Sequence, residues 1–379
     1  MIVSHNNMQS RIISFVGILF VTFFLSGCFS SSDDKENTDT KKPSYAIVDL
    51  NGGMIRSVDG GQTYEPFIMT SGGANIRSVN IYSMKFSHRL GTMLYFGSEK
   101  DGLFRRDELK TAWENVPFPP QKVYGLEVFE GQSLSDTVVY ATGVLDGRAK
   151  IYKSIDSAKE WKEIYTEPQG DSVILSLAIH PKKPSVVYAG TSNGVVIQSE
   201  DSGITWKNIH TFDSPVLQLE FDHARMETLY VLLFENEVEV SNDGGKTFFP
   251  RDNNRDNPLM KDKKISLRSE RAYSLAVDPN RPGVVYAGTG DGLFRSSDSG
   301  ISWDKIDIIE SVSKTPIRSV AVNPFNSEEI IFGAGSVLYK SSNGGKSWYT
   351  FQLDTKATPV SIQFDPANQD AIYVGFRTF

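Results

Sequence analysis

From residue 44 onward the apolar positions come in short runs, and none has the 3.6-residue period of an amphipathic helix. One set of runs reads SMKFSH (83–88), GLEVFE (125–130), SLAIHP (176–181), QLEFDH (218–223), SLAVDP (274–279), SVAVNP (319–324) and SIQFDP (361–366). A second set is almost wholly apolar around a Tyr or Phe: MLYFGS (93–98), TVVYATG (137–143), VVYAGTSNG (186–194), TLYVLL (228–233), VVYAGTGDG (284–292) and IIFGAG (330–335). A third is shorter, as in GLFRSS (292–297) and VLYKSS (337–342). Gly, Pro, Asn and Asp punctuate all of them. Alternating or short continuous apolar runs bounded by such residues predict β-strands and tight turns.

The runs recur in a fixed order, and each third run leads into the same motif. Its copies are SVDGGQTY (57–64), RDELKTAW (106–113), SIDSAKEW (154–161), SEDSGITW (199–206), SNDGGKTF (241–248), SSDSGISW (296–303) and SSNGGKSW (341–348). The acidic or amide position falls at Asp59, Glu108, Asp156, Asp201, Asp243, Asp298 and Asn343. All five tryptophans of the chain, Trp113, Trp161, Trp206, Trp303 and Trp348, occupy the last position, and Tyr64 and Phe248 fill it in the other two copies. Four short strands per ~45 residues, repeated seven times, predict an all-β seven-bladed β-propeller over residues 45–379, with four-stranded antiparallel blades. A C-terminal strand joining the N-terminal blade closes the ring and removes the exposed edges. YAIVDL (45–50) and AIYVGF (371–376) both read as second strands, which leaves eight candidates for seven places.

The motif resembles the Asp-box, the repeat of bacterial neuraminidases. Its chemistry explains it as a fastener. The Asp or Asn oxygen accepts hydrogen bonds from backbone N–H groups a few residues on. The Gly two positions later permits positive φ, and the aromatic packs under the hairpin or against the next blade. Seven copies around a ring cannot all face one substrate. The copies at Glu108 and Asp156 keep the Trp and lose the Gly, as expected if packing matters more than the turn.

Sialidases with this repeat carry an Arg-Ile-Pro motif and a three-arginine clamp for a carboxylate. The chain has no Arg-Ile-Pro, although Arg77 and Arg318 precede first strands and stand as channel-facing candidates. Xyloglucan-type glycosidases use two such propellers in tandem. Here there is one ring, with Glu127 and Glu220 at matching first-strand positions as candidate carboxylates or polar channel lining. Single-ring exported forms are similar to the photosystem II assembly/stability factor family and, more distantly, to sortilin-type propellers. Both bind polypeptides, so the resemblance implies a non-enzymatic protein-binding scaffold or assembly factor. A carbohydrate-binding or glycoside-hydrolase role is the alternative, and a glycan ligand goes with it.

The N-terminal end speaks to location. A polar start with Arg11 precedes the apolar run IISFVGILFVTFF and then LSGC (25–28), which resembles a bacterial lipoprotein signal. The reading is a signal peptide over 1–27, a lipidated Cys28 carrying acyl chains such as palmitate, and a flexible tether through residue 44. Cys28 is the only cysteine, so no internal disulfide forms. The Ser/Asp/Lys-rich tether spans about 20 Å as a coil. The expected place is a bacterial cell envelope. Phe29, in place of a retaining Asp, favours the outer membrane, with the domain on its periplasmic or outer surface.

The net charge of −7, with no basic stripe, argues against nucleic acid. Of the five histidines, His88, His180 and His223 fall at equivalent turns of different blades, so no metal or cofactor is expected. Three loops break the regularity on the face opposite the motif turns. The longest, 251–271, holds seven Lys/Arg against four Asp/Glu. Its Arg255, Lys261, Lys263, Lys264 and Arg268, with Arg77 and Arg318, are the candidate partner-binding residues. The others are 66–77, with Ile68 and Met69 expected to be exposed, and the Pro-rich 116–122.

Overall fold

The computed structural model describes residues 50–87, 93–107, 112–130, 137–168, 170–234, 238–250, 271–308 and 315–379. Among these every regular element is a strand, and 28 strands form seven antiparallel four-stranded sheets. The first strands of successive sheets pack side by side and the order returns to its start, so the sheets are the blades of a closed ring. Blades 2 to 7 follow the chain, with first strands Ile81–Phe86, Val123–Phe129, Ile174–Ile179, Val216–Phe221, Ala272–Val277 and Ile317–Val322.

Blade 1 is shared between the two ends of the ring. Its inner strands, Thr358–Phe364 and Ile372–Arg377, come from late in the chain, and its outer strands, Met54–Ser57 and Glu65–Pro66, from early. The seam is the ladder from Met54↔Gly375 to Ser57↔Ile372. Of the two candidate second strands, Ile372–Arg377 therefore takes the place. Leu50 makes only a one-residue parallel bridge to Thr355, and residues 45–49 lie outside the described residues.

A glycine in the second strand lets neighbouring blades touch. A Cβ on Gly190 would stand 2.3 Å from Cγ1 of Val216, the opening residue of the next blade's first strand, and one on Gly97 would stand 2.5 Å from Cγ1 of Val123. Blade 5 has Leu232 at this position. The next blade then opens on Ala272 instead of Val or Ile, and both residues are buried in one cluster. The larger and smaller side chains have exchanged places, which keeps interior packing dense.

The motif turns share one detailed geometry. In SSDSGISW the Ser296 hydroxyl donates to Asp298 Oδ1 and accepts from the Gly300 N–H. Asp298 Oδ1 then accepts the Ser302 N–H, and Oδ2 accepts the Ser302 hydroxyl. The same bonds recur around Asp59, Asp201 and Asp243, and around Asn343 with its amide donating to Ser347. Blade 3 keeps the turn without the glycine. Ala158 sits at φ +68° and donates to Ser154 Oγ, so the turn persists there despite backbone strain. Glu108 lies outside the described residues.

The aromatic at the end of the motif packs beneath its own hairpin, as Trp348 does on Phe332 and Trp113 on Phe96, and on the preceding blade instead of the next. Trp206 meets Tyr165, Phe248 meets Phe212, and Tyr64 meets Phe351, each partner lying on or just beyond the previous blade's fourth strand. Replacing Asp298 with alanine removes two acceptor oxygens from this turn. The expected loss is about 1–2 kcal/mol, measured by denaturant unfolding.

Acid probes the same turns. Hydrogen bonds from the Thr205 hydroxyl and N–H, with the Ser199 hydroxyl, hold Asp201 down to about 2. At Asp243 burial pushes upward, but the bonds from Thr247 and Ser241 outweigh it, again giving about 2. A carboxyl depressed on folding stabilises above its ordinary value of 3.8 and loses that contribution as pH falls through the folded value. Stability should therefore decline from about pH 4 toward about pH 2. Thermal melts of the Asp201→Asn, Asp243→Asn double variant should show a flatter decline over that window.

Candidate functional site

The motif turns mark one face. Each described turn donates a backbone N–H to a carbonyl one or two residues before the second strand, as in Ser202 to Ser185 O, Gly244 to Glu227 O and Ser299 to Gly283 O. The starts of the first strands and the ends of the second strands therefore open on the other face.

Every first strand carries a register shift near its start, as between Ile81 and Ser83, Ala272 and Ser274, or Ile317 and Ser319. A bulge re-aims the extra side chain. The residues in this column are Tyr82, Tyr124, Leu175, Leu217, Tyr273, Arg318 and Val360, one from each blade. Four of them, Tyr82, Tyr124, Tyr273 and Arg318, take part in a belt of alternating cations and rings at the channel mouth that runs from blade 5 to blade 3 by way of 6, 7, 1 and 2. Arg271 lies 4.1 Å from the ring of Phe234 and 5.2 Å from that of Tyr273. Arg318 lies 4.8 Å from Tyr273 and 4.1 Å from Phe379. Arg377 lies 4.7 Å from Phe379 and 4.2 Å from Tyr82. Tyr82 stacks on Tyr124, and Lys122 stands over both.

Among the described side chains, one carboxylate is seen inside the belt. Glu99 accepts from Asn80 and Tyr82 and lies 3.7 Å from Arg377, and these contacts hold its carboxyl below the usual range. Among the described residues, no carboxylate lies within ion-pair distance of Arg271 or Arg318. Burial lowers the basicity of Arg318, Tyr273 opposes this, and repulsion from Arg271 and Arg377 adds to it. Arginine stays charged regardless. A guanidinium stacked by its face on a ring keeps its N–H edge for bidentate contact with a carboxylate. Among the described residues, the mouth thus carries more cations than carboxylates, set beside aromatic platforms.

The sequence candidates fall in several places. Arg318 is in the belt. Arg77 is exposed on the connection from blade 1 to blade 2, on the same face. Arg255, Lys261, Lys263, Lys264 and Arg268 lie outside the described residues, as does Cys28, but the next residue of that basic segment, Arg271, is a belt member. In 66–77 Met69 is exposed at 54%, whereas Ile68 is buried at 7%. Backbone bonds from Trp113 N to Met69 O and from Ser71 N to Trp113 O pin this segment to blade 2, which pulls Ile68 into the core. In 116–122 Phe118 is buried against Trp161 and Tyr152, and Pro120 packs where Gly143 leaves room, so this loop is largely packing surface.

Deeper in the channel, Lys85 pairs with Glu127 at 2.9 Å. Burial raises the Glu127 carboxyl against the pull of Lys85, which also feels Glu220. Of the two candidate carboxylates, Glu127 is the one paired with Lys85, and Glu220 acts on that lysine only through its charge. His180 is buried beside Glu227, and His223 is exposed on the next blade.

Known proteins share this architecture. A family model described as "Sortilin, neurotensin receptor 3" matches residues 291–377. The GH74 xyloglucanase of Xanthomonas campestris superposes with a TM-score of 0.63 at 17% identity, covering 78% of this chain and 50% of that one. A GH74 enzyme of Niastella koreensis gives 0.59 at 18%, covering 87% and 52%. The present chain spans about half the length of either enzyme. A structure of YCF48 bound to D1 peptide gives 0.57 at 13%, covering 79% of this chain and 94% of that one. No curated protein matches in sequence. The fold is related both to propellers of glycoside hydrolases and to a peptide-binding propeller.

Proposed function

We propose that the protein is a non-enzymatic, lipid-anchored scaffold of a bacterial envelope that holds a protein partner at the channel mouth. The observation that carries this reading is the convergence of Arg271, Arg318 and Arg377 with aromatic rings on one face, with few carboxylates beside them among the described residues. Such a surface suits an acidic or carboxylate-bearing segment of a polypeptide. The likeness to YCF48, solved with a peptide, is in keeping with it. Anchoring at Cys28 would place the ring one tether length from the bilayer.

Glycan processing is the second reading, favoured by the likeness to GH74 enzymes. It needs Glu127 and Glu220 to act as an acid and a second carboxylate, with Lys85 held against Glu127. One experiment addresses both: affinity capture of the full lipidated chain from crosslinked membranes, beside hydrolysis assays on β-glucans. The scaffold reading expects a defined protein partner and no hydrolysis. Hydrolysis lost in Glu127→Gln would replace it. The Cys28→Ser variant should leave the membrane fraction, and its continued retention there would refute the anchor.

A further inference from the structure

Between blades 3 and 4, away from the belt, lies a cavity of about 210 Å³ that no feature of the partner-binding mouth uses. Two of its walls are aromatic. Tyr165, from the fourth strand of blade 3, and Trp206, from the motif of blade 4, stand with ring centroids 5.7 Å apart and planes at 56°. Two lining donors lack any partner although they are buried, the Trp206 indole N–H and the Ser172 hydroxyl. Ser172 is only 5% exposed. Trp161 and Trp348 also leave their indole N–H unpartnered, so that feature follows from the motif register. The orphaned Ser172 beside an open volume does not. Glu167, 9% exposed, lines the same space and accepts the Tyr165 hydroxyl. The side chains of Asn193 and Asn208 stand at the solvent side.

The donor set selects the ligand. An anion meets the Glu167 carboxylate. A quaternary ammonium suits the rings and Glu167 but gives the Trp206 and Ser172 donors nothing to bond. The nearest lysine, Lys207, is held by Glu200 at 2.6 Å. A purely apolar ligand leaves the buried hydroxyl and indole unsatisfied. A neutral polyhydroxylated ring answers all of these at once. Its oxygens accept from Trp206 and Ser172, its hydroxyls donate to Glu167, and its C–H face lies on an aromatic ring. The volume is below the ~300 Å³ at which pockets take drug-sized ligands, which limits the enclosed part to one ring.

We propose that this inter-blade cavity, framed by Trp206, Tyr165, Ser172 and Glu167, binds a single pyranose ring, as a free sugar or as the terminal residue of a glycan. It stands independently of the mouth, so its failure would leave the protein-binding reading intact.

The test is saturation-transfer NMR on the full-length protein in detergent, with D-glucose, D-galactose, D-mannose and N-acetyl-D-glucosamine, and tetramethylammonium as the competing class. At least one sugar should bind in the millimolar range. Ser172→Ala should weaken it about tenfold, the scale of one lost hydrogen bond. Its melting temperature should not fall, because the hydroxyl has no partner in the free protein. Trp206→Phe, which keeps a ring and removes the N–H, should weaken it too; if that variant melts early, Ser172→Ala alone decides. Disaccharides ending in the preferred sugar separate the two sources: tighter binding marks a glycan terminus, equal binding a free sugar. The proposal is overturned if none of the sugars binds, if Ser172→Ala binds as the wild type does, or if only tetramethylammonium binds.

Discussion

On the proposed reading, Arg318→Glu should abolish capture of a protein partner while leaving the propeller as stable as before. The charge reversal sets a carboxylate between Arg271 and Arg377, the two cations that repel Arg318 in the native belt. It therefore satisfies the mouth internally and removes the site for an incoming carboxylate. Loss of one partner from a desolvated charge pair costs about 2–5 kcal/mol of affinity, roughly thirtyfold or more. Arg318→Lys keeps the charge but not the planar fork that stacks on Tyr273 and Phe379, so it should bind at an intermediate level. Affinity chromatography with each variant, beside its thermal melt, measures both effects. Wild-type capture by Arg318→Glu would remove the mouth as the binding face.

Trp113→Ala should give the largest loss of stability among the motif aromatics, about 3–5 kcal/mol. Trp113 is 1% exposed, lies edge-on to Phe96 at 4.7 Å, and donates its indole N–H to Phe67 O at 2.8 Å. Its backbone also holds the segment that leaves blade 1, through Thr70, Met69 and Ser71. Because blade 1 closes the ring, weakening this strap loosens the seam between the two ends of the chain. Trp113→Phe keeps most of the buried area and orphans the Phe67 carbonyl, so it should cost less, about 1–3 kcal/mol. Equilibrium unfolding of the two variants separates packing from the hydrogen bond. A loss below about 1 kcal/mol for the alanine variant would contradict the strap.

The blades were legible because their signal repeats. A strand pattern seen once is ambiguous, but an acidic or amide residue and an aromatic at one spacing in seven copies, with Gly in five of them, are not. Closure was not legible in detail. YAIVDL and AIYVGF have the same pattern, and only the ladder from Met54 to Ser57 decides between them. The serine two positions before the acidic residue was in plain view at Ser57, Ser154, Ser199, Ser241, Ser296 and Ser341. Its part in the turn emerges only from the bonds it makes to Asp Oδ1 and the glycine N–H. The mouth was harder still. Tyr82, Tyr124, Tyr273 and Arg318 share one column, but that column varies from Tyr to Leu, Arg and Val, and it matters because a bulge turns it toward the channel. Arg377, Phe379 and Phe234 come from other positions and reach the belt only through the ring. Ile68 shows the reverse error: a polar-flanked apolar pair in a loop reads as exposed, until the strap to Trp113 buries half of it.

Site-specific photocrosslinking in cells tests the central claim most directly. A benzophenone amino acid replaces Tyr273 at the mouth in one strain and Ile204 on the motif face, 81% exposed, in another. A mouth that holds the partner gives a discrete protein adduct from position 273, lost when Arg318→Glu is added, and none from position 204. An adduct from 204 with none from 273, or no protein adduct from either, would contradict it.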